Sequence, residues 1–263
     1  MSASATLSFD RVAVRYPGAQ VDAVTDVSFD LNVGERVGLL GSSGSGKTTL
    51  LNVAAGLVVP SDGRLLRHGT DLRSMDGAQR RMSDATVGMV HQQLNLTGTL
   101  RVVHNVNAGM LGNWSAARSL RSLWFGAVDQ DLARQALDRL GIADRLHART
   151  SDLSGGQQQR VAVARVLRQQ PTLLIADEPV SAVDPAWSDE VLSILGVEVM
   201  QRSASLLVSL HDVELAFRHC DRLIGLRAGH VVFDKPTGQV SEAEIDALYA
   251  LDRAGTSSVT ATR

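Results

Sequence analysis

The apolar positions of this chain change period several times, and each change marks an element. Leu7-Ser8-Phe9, Val12-Ala13-Val14 and Val27-Ser28-Phe29-Asp30-Leu31 alternate, which is the period of strands with one buried face. Arg36-Val37-Gly38-Leu39-Leu40 is a short apolar strand that runs straight into Gly41. From Thr48 to Leu57 the spacing becomes helical, with Leu50, Leu51, Ala54 and Leu57 on one face. Pro60-Ser61-Asp62-Gly63 reads as a turn, and Thr86 to Val90 as a further strand.

Beyond residue 93 the character changes. Asp129 to Leu140 sets Leu132, Ala136, Leu137 and Leu140 on one face, with Asp and Arg elsewhere, and predicts a helix in a separate helical lobe. Gln158 to Arg168 predicts another helix, which Pro171 brings to an end. Thr172-Leu173-Leu174-Ile175-Ala176 and Ser205 to Leu210 are apolar runs, suited to the buried middle of a parallel sheet. Residues 253–263 read as a frayed tail.

The balance of charge narrows the partners. The chain has 263 residues and a formal net charge of −2, so nothing points to a nucleic-acid surface or a polybasic membrane patch. No run approaches the roughly 18 apolar residues of a spanning helix, and Met1-Ser2-Ala3-Ser4-Ala5 does not read as a secretory signal. Any link to a membrane is therefore expected to go through a partner. Cys220 stands alone, which excludes an internal disulfide and fits a reducing compartment; it reads as a buried structural thiol. Lysine occurs only at Lys47 and Lys235, the other basic side chains being arginine or histidine.

Lys47 lies in Gly41-Ser42-Ser43-Gly44-Ser45-Gly46-Lys47-Thr48-Thr49, which fits the pattern G-x-x-x-x-G-K-[ST] between a predicted strand and a predicted helix. Glycines let such a loop turn its amides onto phosphate oxygens, and the helix start adds favourable electrostatics. Lys47 is placed to meet the β- and γ-phosphates and the Thr48 hydroxyl to ligate Mg²⁺. Downstream, Leu153-Ser154-Gly155-Gly156-Gln157 opens the helix that precedes Pro171; Ser154 is a natural N-cap, and Gly155 and Gly156 allow an anion close to the backbone. Asp177-Glu178 closes the apolar strand; by itself, an acidic pair there fits either metal binding or plain exposure. Tyr16, Gln92 and His211 each lie near a strand end, where structural and functional readings compete. Trp114, Leu120, Leu123, Trp124 and Phe125 form an aromatic-rich patch, read either as packing of the helical lobe or as part of a groove for a partner helix.

Taken together, the phosphate loop, the Leu153–Gln157 pentapeptide and the Asp177-Glu178 pair resemble the nucleotide-binding subunits of ABC transporters, over nearly the whole chain. The resemblance implies an α/β fold: a P-loop NTPase core with an antiparallel β subdomain and an inserted α-helical subdomain. It implies a first core part and β subdomain over 1–92, the helical subdomain over 93–165, a second core part over 166–250 and a flexible tail over 251–263. It further implies that Asp177, with Thr48 and Gln92, holds Mg²⁺, that Glu178 polarises the attacking water and that His211 meets the γ-phosphate. Tyr16 would stack on adenine, Gln92 would sense the transporter, and Ser181-Ala182-Val183-Asp184 would be the D-loop. Ser154, Gly155, Gly156 and Gln157 would cover the ATP of a second copy.

Finer likeness points to importers. Arg149-Thr150-Ser151-Asp152 replaces the acidic, glycine-containing segment common in exporters, and Gly88 to Leu96, Gly112 to Gly126, Ser154 to Ala162, Leu210 to Ala216 and Leu226 to His230 resemble the ATPases of phosphonate importers. His91 departs from the phenylalanine common in relatives. The implied assembly is a homodimer at the cytoplasmic face of the membrane, docked under integral membrane permease subunits and served indirectly by an extracytoplasmic solute-binding protein, with no nucleic acid. Amino-acid import, lipoprotein release and a non-transport ATPase acting on a soluble partner are the competing readings.

Overall fold

The alternation breaks phase between Phe9 and Val12, and the first sheet is built around that break. In the computed structural model, which describes residues 5–113, 129–180 and 185–257, the two short runs form one strand, β1 (Ala5–Val14). Leu7, Phe9, Val12 and Val14 are all buried. Arg11 takes up the extra residue at φ 50°, and the register with β2 (Val24–Asn32) shifts there, a β-bulge. Phe9 and Phe29 face each other across the pair and stack at 4.5 Å. On the other edge β1 pairs antiparallel with β4 (Asp62–Arg67), then β5 (Thr70–Asp71), giving the order β2-β1-β4-β5. Gly63 sits opposite the bulge at φ +77°, where a Cβ would stand 2.1 Å from Arg11 O.

The described chain divides into two compact units, residues 5–74 with 205–257, and residues 75–204. The first unit also carries a mainly parallel sheet. β3 (Arg36–Leu40) lies parallel between β8 (Ser205–Ser209) and β9 (Arg222–Arg227), and β10 (His230–Pro236) pairs antiparallel with β9. β8 is wholly buried, as its composition predicts. Thr6 Oγ1 and Ser205 Oγ lie 2.7 Å apart, and Ser205 Oγ donates to Asn32 O at 2.8 Å, so a polar seam joins the two sheets. Cys220 packs against Gly38, where a Cβ would come 2.9 Å from its Sγ; burial pushes the thiol up to about 12.

α1 (Lys47–Ala54) buries Leu50, Leu51, Val53 and Ala54. It stops sooner than its spacing predicts. Gly56 turns at φ +77°, and Leu57, expected on the buried face, is 63% exposed. The buried Arg67 donates to Ala54 O at 3.1 Å and closes the helix end.

The second unit holds a parallel pair, β6 (Val87–Val90) and β7 (Leu173–Asp177). With them go α2 (Gly77–Ala85), α3 (Val102–Asn107), α4 (Gln130–Asp138), α5 (Gly155–Gln169) and α6 (Pro185–Arg202). The helical region expected over 93–165 thus shares a unit with β6, β7 and α6. The predicted helix at 129–140 is present as α4, but its buried face is Ala133, Ala136, Leu137 and Leu140, and Leu132 is exposed. Arg168 on α5 donates to Asn107 Oδ1 at 3.3 Å and pairs with Asp129 at 3.1 Å. Glu198 on α6, fully buried, accepts from Arg139 at 2.8 Å and from Arg202. The aromatic patch from Trp114 to Phe125 and the Ser181–Asp184 segment lie outside the described residues.

The first unit closes with α7 (Val213–His219) and α8 (Glu242–Ser257). α8 runs beyond residue 250, into the segment expected to be a tail, because its start is well made. Ser241 Oγ accepts from Glu244 N at 3.3 Å, and Glu244 Oε2 accepts from Ser241 N at 3.0 Å, a capping box. Lys235 donates to Glu244 at 2.5 Å. That bond, with those from Ser241, lowers the Glu244 carboxyl from 4.5 to about 2. A carboxyl depressed in the folded state stabilises above its unfolded value, and the contribution is lost as pH falls through the folded one. Glu244→Gln is therefore expected to lower the thermal midpoint at neutral pH, with the gap to the native chain closing between 4.5 and about 2. Paired thermal melts across that window check it.

Candidate active site

The phosphate loop grows out of the end of β3 in the first unit. Gly41, at φ +148°, leaves no room for a side chain: a Cβ there would stand 2.2 Å from Leu226 O. Gly46 at φ +106° is similarly confined, with Ala23 O 2.7 Å from the Cβ position. Gly46 serves as N-cap of α1 with no side-chain cap, so the first amides of the helix face the loop. The turn after β9 backs the loop from below, Gly229 N donating to Ser45 O at 3.0 Å. Ser43, Gly44 and Thr48 are exposed, whereas Ser45 is buried and its Oγ has no hydrogen-bond partner among the described residues. Lys47 is buried, and its Nζ donates to Gly41 O at 2.6 Å and Ser42 O at 3.0 Å. The ammonium therefore lies along the inner side of the loop.

Tyr16 lies just past the end of β1. Tyr16 is 42% exposed, and its hydroxyl stands 3.3 Å from Thr49 Oγ1, which holds the side chain beside the loop. His211 follows β8 and is exposed; Asp212 beside it caps α7 by accepting from Leu215 N at 3.0 Å.

The second unit carries the carboxylates. Asp177 ends β7, buried; Glu178 follows at φ 46°, a strained conformation for a residue with a side chain. Gln92 Nε2 donates to Glu178 Oε2 at 3.1 Å, so two expected site residues, one after β6 and one after β7, meet directly. His91 beside Gln92 is half-buried. Burial and the charge of Arg165 lower its pKa, against an opposing pull from Asp177.

α5, the helix opened by the signature pentapeptide Leu153–Gln157, begins as its sequence predicts. Ser154 Oγ accepts from Gln157 N at 3.3 Å and Gln157 Oε1 accepts from Ser154 N at 3.1 Å, a reciprocal cap. Around Gly155 and Gly156 the space is open: a Cβ at either would meet nothing within 4 Å among the described residues.

Three side chains that the sequence reading passes over hold this half together. Arg165 on α5 donates to Leu94 O at 3.0 Å and Asn95 O at 2.8 Å, so the signature helix fastens the loop after Gln92. Burial lowers its pKa. Buried Asn105 donates to Thr97 O at 3.0 Å and Thr150 Oγ1 at 2.8 Å, and Gln158 donates to Thr150 O at 3.2 Å. The only sequence signal was three polar residues in otherwise apolar or helical stretches.

The residues expected to hold Mg²⁺ are divided between the units, Thr48 in the first and Gln92 and Asp177 in the second. A hydroxyl, an amide oxygen and a carboxylate are all ligand types that a hard divalent ion accepts. No cage of three or more His, Cys, Asp or Glu occurs among the described residues. At Gly41 the backbone itself is the constraint. Gly41→Ala is expected to lower the thermal midpoint and abolish ATP binding together, since its Cβ would displace the Leu226 carbonyl. Calorimetric titration with ATP, beside a thermal melt, checks both effects.

Comparison with known proteins gives the family of the chain. The family model described as "ABC transporter" matches residues 24–181. A phosphonates import ATP-binding protein PhnC 2 of Pseudomonas aeruginosa is 46% identical over 245 residues, covering 93% of this chain and 91% of the relative. A phosphonates import ATP-binding protein PhnC 3 of Halalkalibacterium halodurans is 40% identical, covering 92% and 93%. Among solved structures, an ATP-binding cassette captured as a dimer in a post-hydrolysis state with ADP and Pi aligns with a TM-score of 0.76 at 26% identity, over 88% of this chain and 98% of that one. The structure of cbiO1 from Clostridium perfringens, described as part of the ABC transporter complex cbiONQ, aligns at 0.75 and 25% identity, over 96% and 98%. Sequence identity over most of its length, the cassette fold and the phosphate loop agree, and the chain belongs to the ABC transporter family.

Proposed function

We propose that this ATPase energises an importer for phosphonates or related phosphorus oxyanions, and that two copies close around two ATP molecules. The observation that carries the dimer is the open start of α5. Gly155 and Gly156 have ordinary helical backbone, and a Cβ at either would meet nothing within 4 Å among the described residues, so packing of the described chain does not require glycine there. An anion-binding helix start that faces outward suits a phosphate held by another molecule. The solved cassette with ADP and Pi is itself a dimer, which supports the same arrangement. The substrate class rests on the printed names of the relatives.

In this reading Lys47 and the loop amides bind the phosphates, and Tyr16 supports the adenine. Thr48, Asp177 and Gln92 hold Mg²⁺, which neutralises phosphate charge when bound. Glu178 orients and deprotonates water, and its bond to Gln92 holds the carboxylate in place until ATP arrives. His211 meets the γ-phosphate, and Ser154, Gly155, Gly156 and Gln157 cover it from the second copy, beside the D-loop Ser181, Ala182, Val183 and Asp184. No helix among the described residues is long and apolar enough to cross a membrane. Docking beneath integral membrane permease subunits at the cytoplasmic face accounts for transport, with a solute-binding protein delivering cargo outside.

Two expected outcomes test the chemistry and the geometry separately. Glu178→Gln keeps the shape and removes the base. Turnover is expected to fall about 10²–10⁴-fold while ATP binding persists, so size-exclusion with ATP should show a stable dimer. Full turnover with monomer alone would remove Glu178 from this role. For the pairing, Ser43→Cys and Ser154→Cys in a Cys220→Ser background should form an ATP-dependent bond between chains. A bond formed only within one chain at high dilution would sink the trans arrangement. For the cargo, ATP turnover of the complex with its permease should rise with binding protein plus a phosphonate, and not with an amino acid.

A further inference from the structure

We infer that Tyr249, on the C-terminal helix α8, is a positioning residue for the phosphate loop, an assignment that rests on reading Gly41–Thr49 as the ATP phosphate site. Gly41 N donates to Tyr249 Oη at 3.2 Å, while Gly41 O accepts from Lys47 Nζ at 2.6 Å. The residue where the strand becomes the loop is thus gripped on both its polar groups, by the helix on one side and by the ATP-binding lysine on the other.

The two grips differ in what ATP does to them. With ATP bound, the three Lys47 donors are divided between the two loop carbonyls and the phosphate oxygens. The charge-assisted bond to the Gly41 carbonyl then weakens, and glycine has no side chain of its own to limit φ at that peptide. Tyr249 keeps the Gly41 amide fixed through that exchange. A loop whose first peptide stays in place presents its amides to phosphate without reordering, and binding keeps the free energy that reordering would consume.

The helix is built to hold the hydroxyl still. Leu248, next to Tyr249, is buried. Arg227 Nη1 donates to Ala247 O at 3.1 Å, and Arg227 directly follows Leu226, whose carbonyl packs on Gly41. Lys235 and Ser241 fix the other end of the helix through Glu244. The helix is therefore held at two points just before the tyrosine, one of them through Arg227 next to the strand end it serves.

The experiment uses the full chain and calorimetric titration with MgATP. Tyr249→Phe keeps the ring and removes only the hydroxyl. It is expected to raise the Kd for ATP, and the KM for hydrolysis, about two- to tenfold, with kcat at saturating ATP within about twofold. Amide exchange at Gly41 should speed up. Glu244→Gln serves as the second variant, because it loosens the helix start without touching the hydroxyl; it should lower the thermal midpoint more and raise Kd less. Native Kd in Tyr249→Phe overturns the assignment, as does an equal rise in Glu244→Gln, which would make helix packing the cause. Lys47→Ala is the reference: if it keeps native affinity the phosphate-loop reading itself falls, whereas its loss beside a native Tyr249→Phe removes the tyrosine alone.

Discussion

At Gly41 the chain leaves a buried strand with φ +148° and with Leu226 O standing where a Cβ would be. That close approach is set by sheet pairing. β9 runs parallel to β3 with Leu40 opposite Gly225, which brings the end of β9 against the start of the loop. The turn that follows β9 then supplies Gly229 N to Ser45 O, and Gly229 O in turn accepts from Thr25 N at 2.9 Å on the first sheet. The loop shape thus depends on strands far apart in sequence. A phosphate loop is often described by its glycines and lysine; here those residues are tolerated and positioned by a neighbouring strand, its turn and a C-terminal helix.

The carboxylate half meets a different requirement. In the role proposed for it, Glu178 has to stand clear of the sheet and keep one orientation. β7 supplies the stiffness, since Leu173 to Asp177 are all buried. The left-handed turn at Glu178 swings its side chain out of the strand's alternation, at a cost on the order of 1–2 kcal/mol for a residue with a Cβ. The Gln92 amide then holds it. Gln92 is in turn governed by α5, because Arg165 secures the two carbonyls that follow the glutamine loop. The helix that starts with the signature therefore also sets the loop that holds Glu178, within one unit of the chain.

Much of this was legible in the residues. Local signals carried the strands, because alternation and wholly apolar runs report burial directly, and they carried the start of α5, because Ser154 and Gln157 are a complete cap by themselves. The β1 bulge was half legible: two alternating runs out of phase were visible, but that they form one strand depends on β2 and Gly63 opposite. Leu57 was misplaced since the stop at Gly56 competes with good helical spacing, and the spacing alone does not register a left-handed glycine. Leu132 was misplaced because Leu132 and Ala133 lie about 100° apart on the helix, so only the packed neighbour decides which face is inside. The length of α8 was missed although Ser241-Glu242-Ala243-Glu244 is a capping pattern; its polar tail suggested fraying, and Lys235 and Arg227, distant in sequence, tie it down. Long-range polar contacts such as Glu198 with Arg139, or Tyr249 with Gly41, leave no local trace at all.

The glycines separate what this chain needs for itself from what it offers to others. Gly41, Gly46 and Gly63 each have a positive φ and a backbone oxygen within 3 Å of the Cβ position, so their own fold excludes any side chain. Gly155 and Gly156 have neither feature. Inside a helix a glycine costs about 1 kcal/mol against alanine, and two in succession weaken the start of a helix that Ser154 and Gln157 otherwise reinforce. A fold that strengthens the cap and weakens the turn just after it is not optimising the helix. The combination makes sense when the bare backbone is itself the contact surface, with amides fixed in direction by the cap and left uncovered by side chains. On the proposed reading, the requirement for glycine lies outside the described residues, in a phosphate that approaches that turn.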